Sequence, residues 1–222
     1  MVYRVPDFEF MFRAGARYRW SGREDSIQEI QPIGNIKLAT GRLIACDPFW
    51  GPRALRQVLP FTVAVEPGGY PVALAVARWD SSGHPNVPGR LRSVAAAKVV
   101  IRDEPVVAWE PARRSGDPAD EGKAYGFAVD KGVGCFLDAS AMESLMRMNH
   151  YGGVLDDALP EIDKRCAVDL VDADSGLNII AFSCPLGAGS YPTWIGHTEA
   201  GDVACFVSHL EWLHHSLGPA TA

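Results

Sequence analysis

Apolar residues fall in short runs, rich in β-branched and aromatic side chains and separated by Gly, Pro, Asp and Ser. Runs this short and this composed read as strands rather than helices. They lie at residues 34–46, 61–65, 72–79, 93–102, 106–109, 125–130, 134–137, 167–171, 177–182, 191–196 and 202–207. Glu66-Pro67-Gly68-Gly69 predicts a hairpin turn between the second and third runs, with Pro presetting φ and Gly accepting a positive one. Segments 80–90 and 111–123 read as exposed loops.

Helical signals are few. Ser140-Ala141-Met142-Glu143 has the spacing of a capping box, followed by Met142, Leu145 and Met146 on one face and stopped by Gly152-Gly153. Ser208-His209-Leu210-Glu211 predicts a second, C-terminal helix ended by Gly218-Pro219. Residues 154–166 have a helical pattern interrupted by Pro160. The sum is an α+β, β-rich single domain of mostly antiparallel sheets with a few short helices. It is expected over residues 35–222, with residues 1–34 as an N-terminal extension.

Two short segments echo each other. Gly41-Arg42-Leu43-Ile44-Ala45-Cys46-Asp47 and Gly132-Val133-Gly134-Cys135-Phe136-Leu137-Asp138 both open on Gly and close on Asp. Gly69-Tyr70-Pro71 and Gly189-Ser190-Tyr191-Pro192 form a second near-pair. Duplication and chance both account for matches of this length.

Composition narrows the class. With 47% hydrophobic and 22% charged residues, the 222-residue chain has ordinary globular composition. Its 21 basic and 27 acidic residues give a net charge of −6, which weighs against nucleic acid or an anionic membrane as partner. Arg13, Arg17, Arg19 and Arg23 then read as a solvated flank. The five cysteines are scattered with no CxxC pair, as expected of small buried hydrophobes in a reducing cytoplasm. No apolar h-region opens the chain and no uncharged apolar run reaches membrane-spanning length, so a cytoplasmic protein is expected.

Familiar catalytic motifs are missing: there is no Walker A loop, GxGxxG after a strand, GxSxG or HExxH. Gly187-Ala188-Gly189 lacks the Lys and the following helix of a phosphate cradle. His209, His214 and His215 do not have the i, i+4 spacing of a zinc helix and read as solvent-facing. Cys135 would need a base such as His150 or His197 and electropositive surroundings, whereas carboxylates flank it, so it reads as a core thiol.

The acidic set is more suggestive. Asp47, Asp130 and Asp138 each follow a predicted strand, where a scaffold holds side chains rigidly. Converging there, they would bind a divalent cation or divide into acid and base. The competing reading is structural, with Asp47 before Pro48 opening a turn and Asp138 capping a helix. Tyr70 and Tyr191 each precede Pro, which extends the backbone and fixes the ring, as ligand-facing walls or as core.

These same segments resemble a bacterial family catalogued as domain of unknown function 4241. The resemblance runs from about Leu38 to Leu210. It is carried by residues 40–48, 67–72, 125–130, 132–138 and 187–192, with the downstream Gly196 and Gly201. The family's late motif carries Gly-Asp-Gly before Ser-Tyr-Pro, where this chain has Ala188, and relatives end in Asp-Phe where it has His209-Leu210. Any role of those two carboxylates is absent here.

Two functions are expected. The first is a small-molecule enzyme or binding protein with hydrolase- or lyase-type acid/base chemistry at Asp47, Asp130 and Asp138, walled by Tyr70 and Tyr191. The second is a non-catalytic interaction module, immunity-type or regulatory, with a protein partner; the loss of Asp at position 188 leans that way.

Overall fold

Two antiparallel sheets pack face to face in the computed structural model, which describes residues 5–21, 25–80, 90–117, 126–150, 152–210, 213 and 216–220. The larger runs β1 (Arg17–Tyr18), β2 (Ser26–Leu38), β4 (Gly68–Asp80), β5 (Arg90–Val100), β12 (Val203–His209), β11 (Gly189–His197) and β6 (Ala108–Pro111). Strand β7 (Gly126–Val129) also pairs with β11. The smaller runs β3 (Leu43–Cys46), β8 (Val133–Asp138), β10 (Asn178–Ser183) and β9 (Ala167–Val171).

Ile36, Leu74, Val99 and Phe206 of the large sheet meet Phe136, Ile180 and Phe182 of the small one. Behind the small sheet, Ile44, Cys135, Leu137 and Ile179 pack on α2 (Pro52–Leu55), α3 (Met142–Met148) and α4 (Val154–Arg165). Every residue of β3 and β8 is therefore buried, which explains apolar runs without alternation. The outer face of the large sheet is covered by residues 5–21, with Phe8, Met11, Tyr18 and Trp20 buried on Ala75, Ala77, Ala95 and Ala96. These small residues let the covering segment lie close to the sheet.

The β-rich α+β class is as expected, but several elements differ. The run at 34–46 is two strands, because Leu38 and Leu43 belong to different sheets and the chain turns between them at Gly41. Strand β2 starts at Ser26, so the large sheet takes in residues ahead of position 35. Residues 61–65 lie extended along β3 through Phe61 N–H to Leu43 O and Val65 N–H to Gly41 O, without forming a strand, so Glu66–Gly69 closes no hairpin. The 106–109 run forms its strand at Ala108–Pro111.

Asp138, not Ser140, caps the turn before α3, accepting Ser140 N–H. Helix α4 continues through Pro160 and ends at Cys166 in the left-handed region. The helix expected from Ser208 begins inside β12, and its residues 211, 212, 214 and 215 lie outside the described residues, as do 81–89 and 118–123 of the two expected loops.

The strand register reveals an internal repeat. In the first half Ile36 faces Tyr70 and Leu38 faces Gly68; in the second Phe127 faces Tyr191 and Val129 faces Gly189. Each half then turns at a positive-φ glycine, Gly41 or Gly132, enters β3 or β8 and ends at Asp47 or Asp138. The hairpins β4–β5 and β11–β12 correspond, and a register shift recurs at Ala75/Val76 and Gly196/His197. Ala45 faces its own counterpart Phe136 across β3 and β8, as Lys98 faces its counterpart Val207 across β5 and β12. These two pairs lie on an approximate twofold running through both sheets.

Candidate functional site

Asp47 and Asp130 come together, whereas Asp138 stands apart. Leu43 pairs with Asp138 at one end of the β3–β8 ladder and Cys46 pairs with Cys135 at the other, with Asp47 just beyond. At about 3.4 Å per residue, Asp47 and Asp138 sit roughly 13 Å apart along the strands. The three carboxylates do not share one cleft.

Two of them are engaged by the fold. Asp47 is fully buried and accepts N–H groups from Phe49 and Asp130, both at 2.7 Å, and from Lys131 at 3.4 Å. Burial pushes its carboxyl above the ordinary range, opposed by those three main-chain bonds. Asp138 is fully buried and accepts Thr40 N–H at 3.0 Å, Ser140 N–H at 2.9 Å and both hydroxyls of those residues. Thr40 and Lys131 each immediately precede the turn glycine of their half, so each Asp holds the turn that opens the opposite half. The recurring Gly-to-Asp segment is thus a reciprocal joint between the repeats.

Asp130 differs, with an exposed side chain that accepts Trp50 Nε1–H at 3.0 Å. Among the described residues, no three His, Cys, Asp or Glu side chains are grouped to hold a metal ion. A further acidic residue, Asp172, accepts from Ser175, Ser144 and Arg147 and ties α3 to the β9–β10 connection; those hydroxyls and the guanidinium hold its carboxyl well below the usual range.

The two tyrosines also correspond. Tyr70 donates its hydroxyl to Glu66 O and Tyr191 to Gly187 O, each reaching back four residues over a glycine. Tyr191 is only 2% exposed and belongs to the core, whereas Tyr70 borders an open groove with Glu66, Arg102 and Asp202. Tyr191→Phe is therefore expected to cost about 1 kcal/mol, from a half-buried carbonyl left without its donor, and Tyr70→Phe a few tenths. Urea denaturation of both variants measures the difference.

The other nucleophile and base candidates are accounted for. Cys135 Sγ lies 3.6 Å from Cys46 Sγ, and burial pushes its thiol well above the usual range, so it is a core thiol. His197 Nε2 is 2.9 Å from Glu110 Oε1. His209, expected at the surface, is buried edge-on beneath Phe8 because it extends β12 under the N-terminal cover.

A recess of about 470 Å³ lies where that cover meets the large sheet. Phe8, Phe12 and Trp109 line it together with Lys98, Cys205 and Val207, and Asp7 and Glu9 also border it. Lys98 Nζ stands 4.2 Å from the Phe12 ring centroid and makes no hydrogen bond or ion pair among the described residues. Burial lowers its ammonium pKa, with Cys205 and Asp103 acting the other way. Burial raises the Cys205 thiol to about 11, partly offset by Lys98. The signal available in the sequence was one charge inside the apolar stretch Val94-Ala95-Ala96-Ala97-Lys98-Val99-Val100.

Fold and site define a two-sheet, internally repeated β-rich protein with an aromatic recess on the outer face of its larger sheet. The family described as "Protein of unknown function (DUF4241)" matches residues 36–208, from the first strand of one repeat to the last strand of the other, and the chain belongs to it. No curated protein and no solved structure matches the chain. The match leaves out Phe8 and Phe12, so part of the recess wall lies outside the shared family region. Among the described residues, no helix is long and apolar enough to cross a membrane.

Proposed function

We propose that the protein binds a small molecule in the recess between residues 5–21 and the large sheet. The observation that carries this reading is the aromatic-walled recess with a half-buried lysine that has no ion-pair partner among the described residues. Its volume is typical of small-molecule sites, which combine apolar walls with a few placed polar groups. Hydrolase- or lyase-type chemistry at the aspartates has less support, since Asp47 and Asp138 spend their oxygens on main-chain donors and Asp130 alone keeps an exposed side chain. Five free, buried cysteines suit a reducing compartment, and the reading places the protein in the cytoplasm.

The test is a thermal-shift screen of metabolites and divalent cations on wild type, Trp109→Ala and Asp130→Asn. A ligand at 100 times its dissociation constant stabilises by about 2.7 kcal/mol, roughly 5–10 °C for a chain this size. The expected result is a shift lost in Trp109→Ala and kept in Asp130→Asn, each measured from the melting point of the unliganded variant. A shift lost only in Asp130→Asn returns the site to the acidic joint. No shift with any compound favours the alternative, a non-catalytic module with a protein partner.

A further inference from the structure

We propose that the ligand of this recess is an uncharged aldehyde or ketone with a flat apolar body, captured as an imine by the Lys98 amine. This deepens the small-molecule reading and rests on it. The aromatic side chains Phe8, Phe12 and Trp109 suit a flat apolar body. The charges select against an anion. Asp7 and Glu9 border the recess, Asp7 also caps the first helix by accepting Phe10 N–H, and Glu9 also pairs with Arg13 at 3.1 Å. Asp7 balances the Lys98 ammonium and Glu9 is neutralised by Arg13, so the recess carries no excess cation to hold a carboxylate or phosphate ligand.

The floor supplies the nucleophile. Lys98 sits on the twofold at the centre of the large sheet, on a strand rather than a loop, so the sheet fixes where its side chain starts and the Phe12 ring is what its amine meets. Its contact is the Phe12 ring, and burial favours the neutral amine. The neighbouring Cys205 stays a thiol and neither competes as nucleophile nor offers an anion to the ammonium. The ammonium first loses a proton to solvent. Its nitrogen then attacks the carbonyl carbon, so that a C–N bond forms as the C=O π bond opens; the nitrogen gives up its two protons, the oxygen takes up two and leaves as water with the C–O bond broken, and the C=N bond remains. No oxidant or reductant takes part in this reversible step.

The test uses the full chain with benzaldehyde and, as the anionic comparison, 4-carboxybenzaldehyde, each with sodium cyanoborohydride at neutral pH. The hydride reduces the imine to a stable secondary amine, and peptide mass mapping locates it among the five lysines. The expected result is benzaldehyde label at Lys98 at least tenfold above Lys37, Lys131 and Lys164, with slower labelling by the carboxylate analogue. The preference should vanish in urea, and Trp109→Leu should slow labelling at Lys98 alone. Label spread evenly over the lysines, or as much at Lys98 in urea as in buffer, overturns the assignment. Ligands that stabilise the protein while Lys98 stays unlabelled would leave the binding reading standing and remove the imine. An unlabelled Lys98 together with no stabilising ligand would remove both.

Discussion

Asp138→Ala is expected to lower the stability of the fold by about 3–5 kcal/mol, a fall in melting temperature of roughly 8–15 °C for a chain of this length. The substitution takes the acceptor away from Thr40 N–H and Ser140 N–H, both turned toward a fully buried carboxylate. Each main-chain donor left without its acceptor costs about 1–3 kcal/mol. The hydroxyls of Thr40 and Ser140 also lose their acceptor, but they can rotate to others. Asp138→Asn keeps one acceptor oxygen and should lose about half as much. Thermal and urea denaturation separate this from a catalytic role, in which Asp138→Asn would keep its melting point and lose only a ligand response. A melting temperature within about 2 °C of wild type for Asp138→Ala would remove the joint from the account. A double-mutant cycle with Thr40→Ala should show a coupling of about 1–2 kcal/mol, since the residues touch directly.

The same joint shows what the sequence could and could not reveal. The Gly-to-Asp echo at 41–47 and 132–138 is legible as a pattern, and so are the strands that carry it. What the pattern does is a matter of pairing: β3 lies against β8, so Asp47 meets Asp130 and Lys131 while Asp138 meets Thr40. No local signal in the segment 41–47 specifies a partner so distant in the chain. Strand edges erred for a related reason. Residues 34–46 hold Ile36, Leu38, Leu43 and Ile44 close enough together to read as one strand, and only the division between two sheets breaks them at Gly41. Helix α3 is legible, but its capping box points to Ser140, whereas Asp138 both completes a strand and caps the turn, one residue serving both elements. Lys98 shows in the sequence only as one charge in an apolar run; its recess exists only because residues 5–21 fold back over the large sheet.

Gly41→Ala is expected to be more damaging than the same change at its counterpart Gly132. Both glycines have left-handed backbones, φ +69° and +71°, which cost an L-residue about 1–2 kcal/mol. At Gly132 that is most of the penalty, because an added Cβ would lie 3.4 Å from Cys184 O and Gly187 Cα. At Gly41 the Cβ would stand 1.8 Å from Val65 O, and Val65 N–H is bonded to Gly41 O at 2.9 Å. Main chain cannot rotate away as a side chain can, so the 61–65 segment has to leave β3, uncovering the buried Phe61 with it. The expected losses are about 4 kcal/mol or more for Gly41→Ala and about 1–2 kcal/mol for Gly132→Ala. Asparagine divides the two causes, since it tolerates left-handed backbone but still carries a Cβ. Gly132→Asn should recover nearly to wild type in urea denaturation, while Gly41→Asn should remain as unstable as the alanine variant. Equal losses at the two positions would mean that backbone conformation alone decides and that contact with Val65 does not. The asymmetry comes from the connections: the second repeat has α3, α4, β9 and β10 between β8 and β11, whereas the first reaches β4 through α2 and a short extended segment pressed against the turn. Equivalent glycines in equivalent conformations therefore meet different neighbours, and the difference in stability measures how closely that shorter connection is packed.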